Sequence, residues 1–334
     1  MTWTETPRSI ARFTQLAREQ RADLVVFPEL ALTGYPPRDL LLQEGFVAAA
    51  AAVAKRLGED HSRGLTLVFG VPLPLNATNA TSVAAPRRLA NALLAYRDGR
   101  MLDYYDKRLL PTYDVFDENR YFFPGERAVT IDVAGWRVGL SICEDLWRGC
   151  DVGFADRYLD APDPVDELIA AGAQLIINPS ASPFRLGVGA TQRALLRKHA
   201  TERKVYVAAV NQVGGNDELL FDGSACVHAP DGALIAAGPS FAEALTLVEL
   251  PASPPLPRSS APALSHDPLT SLSTEEALFR ARTRCQRLLP QDRLQERGAR
   301  PLGRHRLGSR RGAGRGGAGA GRGARRGAPV EVLV

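Results

Sequence analysis

Short apolar runs rich in Val, Ile and Leu recur along the first two thirds of the chain: DLVVF (23–27), LTLVFGV (65–71), ANALLAY (90–96), RVGLSIC (137–143), AQLIINP (173–179) and VYVAAVNQ (205–212). Each has the length and the residue types of a strand buried on at least one face. Segments of helical period lie between several of them. Ile10, Phe13, Leu16 and Ala17 share one face after Thr6-Pro7, a cap and first-turn pair, and predict a helix over 7–21; residues 40–57 and 190–203 also read as helices. Asp98-Gly99 and Asp231-Gly232, flanked by apolar residues, predict tight hairpin turns. Strands joined partly by hairpins and partly by helices imply an α/β fold with mixed sheets layered against helices, not an all-parallel nucleotide-binding sheet.

The pattern changes near residue 251. PASPPLPRSSAPALSHDPL is proline-rich with few apolar anchors, so 251–272 reads as a linker after a domain spanning 1–250. Beyond it, 273–334 is almost without apolar periodicity and rich in Arg, Gly and Ala, a composition expected to be disordered. The closing VEVLV returns to ordinary strand sequence. Charge follows the same division. Of 41 basic and 37 acidic residues, 15 Arg and 3 acids lie from Arg280 onward, so a basic tail near +12 is joined to an acidic body near −8. An argument for nucleic-acid binding from net charge rests on the tail alone. No window approaches the ~20 apolar residues of a membrane span. Four cysteines, at 143, 150, 226 and 285, form no C-x-x-C and no zinc-like cluster with His, which predicts no metal and a reduced, cytoplasmic protein.

Three polar residues stand at predicted strand ends: Glu29 in VVFPELALTGYPP, Lys107 in YYDKRLLPTYDVFDENRYFFPG and Cys143 in SICEDLW. Singly, each has a plain reading, a small core residue for the cysteine and surface charge for the others. Together they make an acyl-transfer set, in which the carboxylate takes the thiol proton, the thiolate attacks a carbonyl, and the ammonium stabilises thiolate and oxyanion. Glu144 and Asp145 beside the sulfur oppose its ionisation, and the positive charge of Lys107 is expected to outweigh them. Alternation along a persisting strand would also keep Glu144 off the sulfur.

FPELALTGYPPRDLLL, DKRLLPTYDVFDENRYFFPG, LSICEDLW and INPSASPF together resemble the carbon-nitrogen hydrolase, or nitrilase, superfamily, and within it the glutaminase domains of glutamine-dependent NAD+ synthetases. The resemblance covers about residues 8–250 and implies a four-layer α-β-β-α sandwich. In that family glutamine is hydrolysed through a glutamyl thioester, and the ammonia passes to an ATP-using domain that amidates deamido-NAD+. Carried over, Glu29 is the general base, Lys107 the oxyanion stabiliser and Cys143 the nucleophile. Tyr113 and Ser182 are similar to glutamine-contacting residues, Glu144 to a partner of the substrate ammonium group, and Glu118 to a second glutamate near the triad. The family has a basic residue six positions after the serine. Val188 stands there, and Arg185 is the expected substitute. The glutaminase reaction implies no cofactor; ATP and Mg2+ belong to the synthetase domain. The intact family further implies a homo-oligomer.

Two departures accompany the resemblance. Family domains begin with an apolar strand before the first helix, and no strand-like segment precedes Pro7, so the sheet is expected to lack an inner strand. The S-G-G-x-D-S phosphate loop of the ATP-using domain is also missing. STEEALFRA resembles the start of that domain, and the stretch between about Ala281 and Pro329 reads like out-of-frame translation of a GC-rich gene. The alternatives are a stand-alone amidase of the same superfamily, or a binding protein whose Arg/Gly tail holds RNA. The tail has no aromatic residue after Phe279 to stack on bases.

Overall fold

The computed structural model describes residues 5–75, 88–148, 158–251 and 330–333, the last four by backbone alone. One six-stranded sheet runs β13 (Leu247–Leu250), β14 (Val330–Leu333), β1 (Leu24–Val26), β2 (Thr66–Leu75), β3 (Arg88–Arg97) and β4 (Arg100–Asp106). The other runs β12 (Leu234–Ala237), β11 (Cys226–His228), β8 (Tyr206–Asn211), β7 (Leu175–Ser180), β6 (Trp136–Leu140) and β5 (Thr130–Val133). Both mix parallel and antiparallel pairs, as expected from hairpins and helical connections in one chain. A two-stranded ribbon of β9 (Val213–Asn216) and β10 (Leu219–Asp222) stands apart.

Alternation along the strands makes the layers. Leu24 and Val26 join Val68 and Leu93 against Trp136, Leu140, Ile177 and Ala208 in a core between the sheets. Val25, with Leu67 and Phe69, packs instead on Ile10 and Ala17 of α1 (Glu5–Glu19) and Ala50, Ala54 and Leu57 of α2 (Glu44–His61). On the far side, Ile176, Val207 and Ala209 meet Val165 and Leu168 of α3 (Pro164–Ala170) and Leu195, Leu196 and Ala200 of α4 (Val188–Arg203). Strands covered on both faces read as continuous apolar runs, which is why they were legible. The result is the four-layer α-β-β-α sandwich.

Local details depart from the expected spans. The segment from residue 40 opens as a 3-10 turn, Arg38–Leu42, before α2. Asp98 and Gly99, both at positive φ, make the tight β3–β4 hairpin, whereas β11 and β12 are joined by a wider turn over 229–233. The strand expected over 137–143 ends at Leu140, and Cys143 opens a separate 3-10 turn, Cys143–Leu146.

β14 lies between β1, to which it is parallel, and β13, to which it is antiparallel. The expectation of disorder over 273–334 is therefore corrected for Val330–Leu333, whose backbone pairs on both sides. The linker and the remainder of that segment, with Cys285, lie outside the described residues, as do residues 1–4 and Cys150.

Candidate active site

Three chain turns at one end of the sandwich bring the predicted residues together. The first follows β1, where Leu30 takes φ 45° and Glu29 is turned inward with about 1% of its surface exposed. This turn lies directly on β2: a Cβ at Gly70 would come within 2.2 Å of Leu30 N, so the isolated glycine of VFGV is required by close backbone approach. The second follows β4, where Lys107 N donates to Asn91 O at 2.8 Å. The third follows β6, where Cys143 sits at φ 43°, an uncommon conformation for a non-glycine residue that lifts the thiol out of the strand line.

Lys107 is the centre of the polar cluster. Its ammonium donates to Glu29 Oε1 at 2.6 Å and to Glu118 Oε1 at 2.8 Å, with all three side chains buried. Asn91 Nδ2 donates to Glu29 Oε1 at 2.7 Å and, more weakly, to Glu118 Oε2 at 3.4 Å. Tyr35 Oη donates to Glu118 Oε1 at 2.8 Å, and Ala181 N donates to Glu29 Oε2 at 2.9 Å. Two of the three ammonium protons are thus committed and one remains. Glu29 has about four acceptor positions, of which three are filled by these bonds.

The electrostatics follow from one cation shared by two carboxylates. Burial pulls the Lys107 ammonium toward neutrality, but Glu118 and Glu29 overcome it and hold its pKa well above the ordinary value. Glu118 is pushed up to about 7 by burial and by Glu29, against the pull of Lys107. The Cys143 thiol is raised well above its usual range by burial first and the Glu29 charge second; Lys107 pulls the other way and loses. Lys107 outweighs Glu144, as expected, and Asp145 is not among the charges that raise the thiol; burial and Glu29 are what overcome the ammonium, so the sulfur rests protonated and needs a base.

Cys143 opens onto a cavity of about 250 Å³ whose lining includes Tyr113, Glu144, Ser182, Arg185 and Val188. Tyr113 Oη donates to both Glu144 carboxylate oxygens, at 2.9 and 3.0 Å. The backbone of Ser182 is held at both ends by the Asn211 amide, at 2.8 and 3.1 Å. Arg185 is exposed and paired with Asp114 at 3.3 Å. Five of the predicted residues thus line the cavity, while Glu29, Lys107 and Glu118 lie buried, charge-coupled to its cysteine.

Sequence reasoning missed the supports. Asn91 was hidden inside ANALLAY, although a polar residue within an apolar strand is itself a signal. Asp145 stands beside the sulfur along the chain. Its carboxylate turns away instead: Oδ1 accepts from Arg108 N and Leu109 N at 3.0 and 2.9 Å, and Oδ2 from Ile142 N and Tyr105 Oη at 2.9 and 2.7 Å. One side chain therefore ties the residues following Lys107 to the residue preceding Cys143. Asn178 adds a bond to Ser141 Oγ at 3.1 Å beneath the same turn.

Comparison with known proteins gives the family and the fold. The carbon-nitrogen hydrolase family profile matches residues 4–149 and 164–253. Glutamine-dependent NAD(+) synthetase of Aquifex aeolicus is 37% identical over 232 residues, 69% of this chain and 37% of that protein. The enzyme of the same name from Xanthomonas campestris pv. campestris is 38% identical over 249 residues, 74% of this chain and 41% of that protein. The chain thus spans about two fifths of the length of these relatives. The structure of glutamine-dependent NAD+ synthetase from Acinetobacter baumannii superposes with a TM-score of 0.67 at 25% identity, covering 85% of this chain and 48% of the other. An amidase of Nesterenkonia from the nitrilase superfamily shares the fold, with a TM-score of 0.57 at 24% identity over 71% of this chain and 81% of the other.

Proposed function

Because the chain belongs to the carbon-nitrogen hydrolase family, we propose that the Cys143 cavity hydrolyses the side-chain amide of glutamine, as the ammonia-producing part of an NAD+ synthetase. The observation that carries this reading is the single buried ammonium of Lys107 bridging Glu29 and Glu118 beside a protonated cysteine. Such a cluster is costly to bury and has use as a proton-transfer and oxyanion device.

In the proposed reaction the remaining acceptor position of Glu29 takes the Cys143 proton as the sulfur attacks the amide carbon. The resting thiol suits this sequence, since the thiolate forms only when a carbonyl is present to receive it. Charge on the carbonyl oxygen is met by the third ammonium proton of Lys107. Collapse of the tetrahedral species breaks the C–N bond, with Glu29 returning its proton to the departing ammonia. Water, deprotonated by Glu29, then cleaves the thioester and frees glutamate and the thiol. Glu118 keeps Lys107 charged and aimed. Glu144, oriented by Tyr113, receives the substrate ammonium group, Ser182 contributes polar contact, and Arg185 takes the carboxylate in the place where Val188 offers none.

The amide cleavage is proposed to need no cofactor. The acceptor of ammonia is a synthetase domain using ATP and Mg2+, with deamido-NAD+ as its substrate. The thiol of Cys143 suits a reducing, cytoplasmic setting, and among the described residues no helix is long and apolar enough to cross a membrane.

A second reading, a stand-alone amidase, is favoured by one feature: Val188, Phe184 and Leu220 make part of the cavity wall apolar where a carboxylate anchor is expected. The deciding experiment compares ammonia release from glutamine, butyramide and butyronitrile. Glutamine turnover that disappears in Cys143→Ala supports the first reading. Turnover of the uncharged compounds alone rejects it.

A further inference from the structure

β14 is the occupant of a gap, and it comes from neither of the segments that border it. On one side β1 is reached from α1, with β2 on its other edge; on the other, β13 follows β12 and its end is held by Trp136 Nε1 donating to Pro251 O at 3.2 Å. Take Val330–Leu333 away and β1 and β13 stand two strand spacings apart, about 9–10 Å, each with a row of backbone donors and acceptors that no other described strand pairs. Residues 252–329, at about 3.3 Å each when extended, do not limit the reach of the terminus.

The register defines what fits. Val330 and Val332 fall opposite Leu250 and Val248, and Val332 also opposite Leu24, all three of which belong to the core between the sheets. Leu333 falls opposite Val25, which is fully buried. Glu331 falls opposite Glu249, an exposed position. The gap therefore selects an extended tetrapeptide with apolar residues at its first, third and fourth positions, and is mismatched in charge at the second.

We propose that the space between β1 and β13 is a strand-binding site, filled by the chain's own Val330–Leu333 as a separable ligand that completes the sheet. The site is independent of the glutamine reading, because it lies in the first sheet and borrows no residue from the Cys143 cavity. Binding closes the inner sheet edge by main-chain pairing, and apolar positions set its specificity.

The test removes residues 329–334 and titrates the shortened chain with a synthetic peptide of residues 328–334, following thermal unfolding and peptide fluorescence anisotropy. Three apolar positions and two rows of backbone pairs predict a fall in Tm of about 10 °C or more, restored saturably by the peptide. A peptide carrying Glu331→Lys binds about two- to five-fold tighter, since it relieves the like charge at Glu249. One carrying Val332→Pro does not bind, for want of a ladder donor. If the shortened chain precipitates, the full chain with Val332→Pro serves in its place, with the same expected loss and the same rescue. An unchanged Tm, or failure of the wild-type peptide to bind or rescue, overturns the proposal. A concentration-dependent dimer that the truncation abolishes overturns the assignment of the occupant to the same chain.

Discussion

Asp145→Asn isolates the clamp between the two halves of the site, because it keeps shape and volume and changes only donors and acceptors. The native carboxylate receives four bonds from buried donors: Arg108 N, Leu109 N, Ile142 N and Tyr105 Oη. An amide has a single oxygen. If that oxygen stays with Arg108 N and Leu109 N, the new NH2 faces Ile142 N–H, a donor that cannot rotate, while the Tyr105 hydroxyl can turn to accept. One buried N–H is then orphaned, at about 1–3 kcal/mol, and the two retained bonds lose their charge assistance. The opposite flip orphans two N–H groups and is worse. A partial offset comes from removing a charge that burial already disfavours, since the Asp145 carboxyl is pushed up by burial against its bonds from Leu109, Tyr105 and Ile142. The expected net loss is about 2 kcal/mol, or roughly 4–8 °C in Tm for a domain of this size. Because Ile142 precedes Cys143 and Arg108 follows Lys107, the sulfur and the ammonium lose their common brace. A misplacement near 1 Å is expected to lower kcat by about 100-fold with little change in KM. Urea unfolding, thermal melts and steady-state ammonia release measure these quantities, with Asp132→Asn as the control. Asp132 is paired with Arg137 at the surface, its side chain 72% exposed, and its loss is expected to stay within about 0.5 kcal/mol. Asp145→Asn with stability inside that same margin and kcat within twofold of wild type would refute the clamp.

Cys143→Ala is expected to abolish glutamine turnover and the trapping of a thioester by hydroxylamine, with the fold retained by circular dichroism. Lys107→Gln leaves two buried carboxylates without their cation, so both a loss of about 3–5 kcal/mol in urea unfolding and a fall in kcat of at least ~100-fold are expected. Glu118 carries a definite pH signature. Its folded pKa, about 7, exceeds the ordinary 4.5, so its contribution to stability is fully present below about 4.5 and is lost as pH rises through about 7; the wild-type minus Glu118→Gln difference in unfolding free energy should decline across that window, and a flat difference would contradict the assignment. Arg185→Ala is expected to raise KM for glutamine about tenfold or more while leaving hydrolysis of butyramide unchanged, and equal effects on both substrates would remove Arg185 from the role of carboxylate anchor.

The sheets and the nucleophile were legible because their signals are local. A strand covered on both faces must be apolar at successive positions, and DLVVF, ANALLAY and AQLIINP satisfy that requirement without reference to anything distant. The short strands β9, β10 and β13 carry too few residues for such a pattern and were found only in the structure, while β11 and β12 were signalled only by the turn between them. In the site, Glu29, Lys107 and Cys143 stood out as reactive types at the ends of apolar runs. Asn91, Asp145 and Ala181 N did not, because each acts on a partner 27 to 152 positions away in the chain. What raises the thiol is equally remote from SICEDLW: Asp145, next in sequence but one, turns away, whereas Glu29, 114 positions earlier, is the charge that opposes ionisation most after burial.

By itself, then, the amino-acid order determined the alternation that builds two sheets, the identity of a cysteine, a lysine and a glutamate suited to amide cleavage, and the strand character of VEVLV. Tertiary structure alone decided that one ammonium is divided between two carboxylates, that the thiol is held protonated, that Asp145 braces the turn beside the sulfur, and that the last strand lies beside the first. Residue type and period are properties of neighbours along the chain. Burial and hydrogen-bond pairing depend on which distant segments share a volume, and that is settled only when the sandwich closes.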